Sequence, residues 1–522
     1  VSHVVVIGAG LAGLAAACHL RGQGHEVTVL ERQAGPGGRG IRLERNGFTF
    51  DTGPTVLTMV DLVDEALKAV GVRAHDVLDP VRLDPAYRAL FADGSTLHVR
   101  HGHEAMRAEI ARECGSLDAA AFDQFVAWLR ELYLVEMPHF IDANFDSPLD
   151  LMRSPRAAAR LIRLGGFGRL GPAIRSRFRD PRLHRLFSFQ AMYAGLAPEQ
   201  ALAIYAVITY MDSIEGVWFP RGGMRAVPEA MAAAAAAAGV EFRYDRTVTR
   251  VLTRTDGVVA GVCVEPSSAG PHGEPSSPGP YVEGARAPER IACDAVICTL
   301  DLPTAYDRLL PDLTPPVAVQ RPTYSPSAVV WHLGVRGVPQ QAAHHNIHFG
   351  AAWEDAFEDL LTRGVRMRDP SRLVSVPSLD DPTAAPEGCS TLYVLEPVPN
   401  LAAGRLDWAV ERPRVRDELQ CFLQQAGYPT EIVAEELVDP TDWARAGMAG
   451  GTPFALAHTF AQTGPFRPPN VERRRPGLFF AGSGTVPGVG VPMVLISGKL
   501  AARRVAAYLP ALGRTASPSA PR

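Results

Sequence analysis

The chain has 522 residues, 47% of them apolar, and a formal net charge of −4. That is apolar material for more than one core, so two domains are expected, and the slightly acidic balance argues against nucleic-acid binding. Seven scattered cysteines without a CxxC pair imply neither a disulfide framework nor a metal site, and no run of about 18 apolar residues offers a transmembrane helix.

The chain opens on a strand with no charged leader, so a cytoplasmic protein is expected. Residues 3–31 read as strand, tight turn, helix and strand, a βαβ unit. The turn carries Gly8, Gly10 and Gly13. In such a unit the first two glycines permit a tight turn and close approach of backbone to a pyrophosphate, and the third lets helix pack on strand. Leu11 and Ala12 open the helix, and Glu31 stands at the tip of the second strand, where a carboxylate accepts hydrogen bonds from ribose hydroxyls. Arg32 leads into Gly35-Pro36-Gly37-Gly38-Arg39 and then Phe50-Asp51-Thr52-Gly53-Pro54-Thr55. A second diglycine permits another close approach, and Arg39 offers a cation to the pyrophosphate. An NAD site does not need this extension, which resembles the flavin-binding segment of the amine oxidase and carotenoid desaturase superfamily.

From about 60 to 210 the pattern is mostly helical. Between Arg153 and Arg185 stand ten arginines and one acid, Asp180, with Leu161, Ile162, Leu164, Phe167 and Leu170 among them. That composition suits an anionic membrane surface, and equally a solvated face in an arginine-rich chain. Ala191 to Met211 is apolar enough to line a tunnel or to be a core helix. Residues 241–264 alternate like antiparallel strands turning at Asp256-Gly257. Residues 266–289 are rich in Pro, Ser and Gly and read as a flexible loop, and Ile291 to Thr299 as a strand. Near the end, Leu478 to Ala481 runs into Gly482-Ser483-Gly484-Thr485-Val486-Pro487-Gly488 and then, through Val491-Pro492-Met493, into a helix over 494–509. A helix N-terminus there would stabilise an anionic reduced flavin. The tail, 510–522, is expected to be disordered.

With these segments in view, the chain resembles the bacterial-type phytoene desaturases, FAD-dependent carotenoid enzymes of the amine oxidase superfamily. The resemblance is carried by the N-terminal fingerprint, Phe50 to Thr55, Gly216-Val217-Trp218-Phe219-Pro220-Arg221-Gly222-Gly223-Met224, Asp294 to Asp301 with Leu302-Pro303, and His344-His345-Asn346-Ile347-His348-Phe349-Gly350. Pro386-Glu387-Gly388-Cys389, Leu392 to Pro399, Phe466 to Asn470 and the C-terminal segment complete it. It covers nearly the whole chain and is weakest over 60–210. One departure is Val486, where the family usually has a polar residue, often His.

The resemblance implies an α/β fold of the GR2 flavoprotein type: a Rossmann-like FAD-binding domain from 1–80, 212–300 and 471–509, with an inserted α+β substrate domain from 81–211 and 301–470. The helical part, 150–211, would face a membrane. FAD would be held by Gly8, Gly10, Leu11, Ala12, Gly13, Glu31, Arg32, Gly38, Arg39, Gly53, Pro54, Thr55, Gly482, Ser483, Val491, Pro492 and Met493, and Val248 would meet the adenine through its backbone. Asp150 and Arg153 match an Asp/Arg pair of the family and stand as a catalytic acid/base pair, although i,i+3 spacing also serves an intrahelical ion pair. His344, His345 and His348 are polar candidates whose plainer reading is a surface strand edge or loop. The implied substrate is an apolar C40 carotenoid, the implied electron acceptor a quinone or oxygen, and the implied location peripheral on the inner face of the cell membrane. A carotenoid isomerase or ketolase, and a non-catalytic isoprenoid-binding protein, are the alternatives on the same scaffold.

Overall fold

The computed structural model describes residues 1–267 and 288–515. Val4, Val5, Val6 and Ile7 are all buried, as a strand covered on both faces by other layers must be. Their strand, His3–Ile7, is the centre of a five-stranded parallel sheet in the order Leu478–Phe480, Ala295–Cys298, His3–Ile7, Glu26–Leu30, Glu241–Arg243. The chain leaves the central strand toward one side and returns on the other. The carboxyl end of His3–Ile7 is therefore a switch point, where a crevice opens in sheets of this kind.

Two helices cover one face of that sheet and bring the chain ends together. Leu11–Gly22 packs along Val491–Thr515. The contact is backbone-close: a Cβ on Gly498 would stand 2.2 Å from the Ala12 carbonyl oxygen. The opposite face carries a three-stranded antiparallel sheet, Arg246–Thr253, Val259–Pro266 and Glu289–Ala292, with a valine-rich core between the layers. The expected single strand over Ile291 to Thr299 is thus two, parted at Asp294, and each joins a different sheet.

A mixed seven-stranded sheet stands beside this unit, in the order Glu431–Val438, Ser327–Arg336, Cys389–Val398, Arg372–Ser375, His345–Phe349, Tyr87–Phe91, Thr96–Val99. Only the pairing of His345–Phe349 with Tyr87–Phe91 is parallel. The hairpin 87–99 corrects the mostly helical expectation for 60–210. Tyr87, Ala89 and Phe91 alternate inward, and the turn is Asp93-Gly94, a hairpin signal that the surrounding helical pattern hides. The helix Trp408–Gln425 covers one side of this sheet.

The stretch over Ala191 to Met211 is not one helix. It breaks into a 3₁₀ turn Phe189–Ala194, a second Ala203–Tyr205, a short helix Ala206–Thr209 and a π-helical turn Tyr210–Ile214. The final helix starts at Val491 and continues to Thr515, beyond the expected end at 509 and into the tail expected to be disordered. Most of the expected loop 266–289, and the tail beyond 515, lie outside the described residues. None of the helices among the described residues is long and apolar enough to cross a membrane.

Candidate active site

The site begins at the end of His3–Ile7. Gly8 has φ +103°, and a Cβ there would stand 2.2 Å from Thr299 Oγ1; a Cβ on Gly13 would stand 2.0 Å from the Gly8 carbonyl oxygen. Only glycine lets the chain turn here and the helix begin directly beneath the turn. Gly37 N–H donates to the Ala9 carbonyl at 3.0 Å, and a Cβ on Gly38 would come within 2.9 Å of Gly10 Cα. The two glycine loops therefore lie backbone against backbone.

Glu31 is buried. Its Oε2 accepts the Ala9 N–H at 2.7 Å and its Oε1 the Gln33 N–H at 2.9 Å. Both donors fix the carboxylate, and its remaining lone pairs face the crevice. Arg39 is held at 2.7 Å by Asp301 and at 2.6 Å by the Pro453 carbonyl; Asp301 in turn accepts the Ala449 N–H. Arg32 donates to the Ala446 carbonyl at 2.7 Å. Both guanidinium groups are thus positioned by residues more than 250 positions away in the chain.

The C-terminal loop is organised by two buried side chains. Arg467 donates to the carbonyls of Thr485, Gln462, Leu456 and Ser483, and burial pushes its guanidinium down to about 10. Asn470 Nδ2 faces the Phe480 and Val486 carbonyls and the hydroxyls of Thr485 and Ser497. Val486 is buried, and its carbonyl belongs to this network. Past the loop, a Cβ on Gly488 would stand 2.2 Å from the His458 ring.

These parts line one cavity of about 1190 Å³. Of the residues expected to hold the cofactor, every one named above except Gly13 is in its wall. Gly13 lies one turn deeper, under the Gly8 carbonyl. The N-termini of Leu11–Gly22 and Val491–Thr515 both open into it, and free N–H groups at such ends favour anionic and electron-rich groups. Glycines that leave no room for a Cβ at 8, 13, 37 and 38, a ribose-ready carboxylate and tethered arginines fit a flavin dinucleotide.

The volume exceeds the roughly 300–1,000 Å³ usual for a single small ligand. The remainder is an apolar arm walled by Phe140, Leu161, Phe189, Ile208, Met211 and Phe357 among others. It reaches a mouth at Phe167, Phe460 and Phe466, which are 48%, 62% and 39% exposed. Two acids also stand in the cavity wall, Glu136 and Asp212. Sequence reasoning missed both, because one acid inside an apolar stretch carries no spacing signal.

The structure places Asp150 and Arg153 elsewhere. Asp150 closes a capping box at the start of the turn Pro148–Arg153, where its Oδ2 accepts the Asp146 and Ser147 N–H groups. Those bonds hold its carboxyl below the usual range. Arg153 pairs with it at 2.9 Å and is largely exposed. Neither lines the cavity; Leu151 between them does. The pair is a helix cap with its ion pair, the plainer of the two readings of that spacing.

The histidines are not a surface edge either. His344 and His345 are buried, with His344 Nδ1 2.7 Å from Asp380 and His345 Nδ1 2.8 Å from Ser375 Oγ. His348 Nε2 meets the Tyr428 hydroxyl at 3.0 Å. Among the described residues no group of three or more His, Cys, Asp or Glu side chains is placed to hold a metal ion.

Comparison with known proteins agrees with this geometry. The model of the family "Flavin containing amine oxidoreductase" matches residues 11–506. The chain is similar to a phytoene dehydrogenase of Streptomyces griseus, 50% identical over 512 residues that cover 97% of this chain and 95% of the relative. It is 37% identical over 525 residues to a zeta-carotene-forming phytoene desaturase of Myxococcus xanthus, covering 99% and 96%. Among solved structures it resembles cyclohexylamine oxidase from Brevibacterium oxydans IH-35A, with a TM-score of 0.58 at 17% identity over 98% of this chain and 99% of that one. At that identity the likeness is one of fold.

Proposed function

The chain belongs to the flavin-containing amine oxidoreductase family and, within it, to the bacterial phytoene desaturases, and from that premise we propose that it introduces C=C bonds into phytoene with FAD as its cofactor. The observation that carries this reading is the continuity of the cavity. One cavity is lined both by the dinucleotide cradle and by a set of apolar side chains beyond it, which suits an uncharged polyene.

When bound, FAD supplies a two-electron acceptor for hydride. The protein's part is placement. Gly8 to Ala12 and the two helix ends would hold the pyrophosphate and the ring edge, Glu31 the ribose, and Val248 the adenine through its backbone. The apolar arm aligns the substrate and keeps water from the reacting carbons. The electron acceptor that completes the cycle would be a quinone or oxygen.

Substrate entry is from lipid, at the inner face of the cell membrane. The mouth supports this. The turn Gly464–Phe466 packs against Pro148–Arg153, grouping Phe460 and Phe466 with the strongly exposed Leu149 and Met152. Isolated exposed apolar residues need no explanation, and a cluster at a cavity mouth does. The arginine run contributes less charge than its composition implies. Arg160, Arg175 and Arg182 are paired with Glu131, Glu199 and Asp180, while Arg177 lies over Trp128.

The test is expression in a bacterium that accumulates phytoene, with pigments separated by chromatography. Carotenes with a lengthened chromophore are expected. Unchanged phytoene beside protein with bound FAD overturns the reading.

A further inference from the structure

Forming a C=C bond removes two hydrogens from adjacent carbons. One leaves with its bonding pair, which reduces the FAD. The other leaves as a proton, and its bonding pair becomes the new π bond. The proton needs a base inside an apolar cavity, and the capped Asp150 is not there.

Six carboxyl groups line the cavity: Glu31 is held by the Ala9 and Gln33 N–H groups, Asp301, Glu436 and Asp442 are paired with arginines, and Glu136 and Asp212 stand among apolar side chains without one. Asp212 is 2% exposed. The Ser213 hydroxyl donates to its Oδ1 at 2.7 Å, and Gln190 Nε2 stands 3.4 Å from Oδ1 and 3.5 Å from Oδ2. Gln190 is fully buried and directed by the Leu186 carbonyl. Glu136 is equally buried, yet its Oε1 has no hydrogen-bond partner among the described residues. A buried carboxylate persists only where donors support it. Asp212 has a hydroxyl donor at 2.7 Å on Oδ1 and one amide shared between its two oxygens, and Glu136 Oε1 has none among the described residues, so Asp212 is the better equipped of the two to exist as an anion.

Asp212 is also tied to the cofactor end of the cavity. Gln190 belongs to the turn Phe189–Ala194, whose last carbonyl accepts the His458 N–H at 2.8 Å. The His458 ring in turn occupies the space beside Gly488. Asp212 is thus linked to the C-terminal glycine loop through Gln190, the turn Phe189–Ala194 and His458.

We propose that Asp212 is the base that takes the proton from the substrate carbon next to the one that gives up hydride. The inference rests on the desaturase reading. The proton moves from carbon to Asp212 Oδ, and the carboxyl is then neutral until it returns the proton to solvent. Burial pushes this carboxyl up to about 7, where acceptor and donor forms coexist at neutral pH. The titratable groups around it are Tyr193 and Tyr87, with Tyr133 and Glu136 on the packed helix Ser116–Glu136. Burial holds all four in their neutral forms, so none supplies a compensating charge.

The test compares wild type, Asp212→Asn and Asp212→Glu as holoenzymes loaded with phytoene in liposomes, following loss of flavin absorbance in a single anaerobic turnover. Asp212→Asn should be slowed about 100-fold or more, the scale of general-base loss, with FAD content unchanged, and Asp212→Glu should recover part of the rate. The wild-type rate should rise with pH through about 7. Infrared titration of the apoprotein gives a readout independent of turnover: a protonated-carboxyl band with a midpoint near 7 that Asp212→Asn removes. A wild-type apoprotein without such a band, or an Asp212→Asn holoenzyme within threefold of wild type, overturns the proposal. Wild type that binds FAD and leaves phytoene untouched overturns the desaturase reading instead, while the infrared result still stands for or against Asp212.

Discussion

Gly10 and Gly13 stand three residues apart in one turn, and the structure assigns them different burdens. A methyl on Gly13 would meet the Gly8 carbonyl oxygen at 2.0 Å, the Gly8 carbonyl carbon at 3.2 Å and Val6 Cγ1 at 3.3 Å. Ordinary contacts begin near 3.5 Å, so the helix Leu11–Gly22 would have to move off the sheet by more than about 1 Å. It has little room to do so, because Ala12 on its other side already touches the backbone at Gly498. Gly13→Ala should therefore cost the upper part of the ~1–3 kcal/mol range for overpacking, or about 6 °C in melting temperature at ~2–4 °C per kcal/mol for a mid-sized domain. Gly10 has φ −74°, and its added methyl would meet nothing nearer than Gly38 Cα at 3.6 Å. Gly10→Ala should leave the apoprotein melting within about 1 °C of wild type. The same methyl stands where the pyrophosphate approaches, and should weaken FAD binding tenfold or more, about 1.4 kcal/mol. Thermal melts of the apoproteins and titration of flavin fluorescence separate the two effects. A Gly13→Ala protein that melts with wild type, or a Gly10→Ala protein that loses as much stability as Gly13→Ala, refutes this division of labour.

Arg467→Met would leave four buried carbonyls without their donor, at about 1–3 kcal/mol each where nothing replaces it; the purified variant should hold less than a tenth of the wild-type flavin, read from the ratio of visible to ultraviolet absorbance. Glu136 offers a test in pH. Its carboxyl is pushed well above the ordinary 4.5 by burial, so its contribution to stability is full below about pH 4.5 and falls as pH rises toward the folded-state value, by up to about 1.4 kcal/mol per unit. Glu136→Gln should match wild type in melting temperature at pH 4.5 and exceed it by a margin that widens toward pH 8; a constant difference would contradict the sign. Phe460→Asp combined with Phe466→Asp should abolish co-sedimentation with anionic liposomes while FAD content stays at the wild-type level, and undiminished binding would remove the mouth from the membrane contact.

The legible part of the site is where backbone geometry restricts residue type over a short span. Gly8, Gly13, Glu31 and Gly38 can be read one after another because each answers a local steric or hydrogen-bonding demand. Glu136 and Asp212 cannot, since they come from a long helix and a π-helical turn that meet only in the folded chain. Asp150 and Arg153 show the converse: i,i+3 spacing is local, and it serves a capping box as well as an acid/base pair. The arginine run misleads in the same way, because Glu131 and Glu199, which take up part of its charge, lie outside it in sequence. The buried His345 owes its position to the pairing of its strand with residues 372–375 and 88–91, and His344 to the Val376 N–H that its carbonyl accepts, which no single-chain pattern displays.

The order of strands in the parallel sheet also sets a timetable for synthesis. His3–Ile7 is synthesised well before its partners: one neighbour, Ala295–Cys298, comes some 290 residues later, and the next strand, Leu478–Phe480, later still. At about 5–20 residues per second, roughly half a minute to a minute and a half separates the first strand from the last. During that interval a fully apolar strand and an unfilled glycine turn wait without their partners, a natural client for chaperones and a risk for aggregation. Cofactor capture cannot precede the arrival of residues 482–493. The supply of FAD at the moment of chain release would then govern the yield of native protein, and riboflavin-limited cells should accumulate it in inclusion bodies.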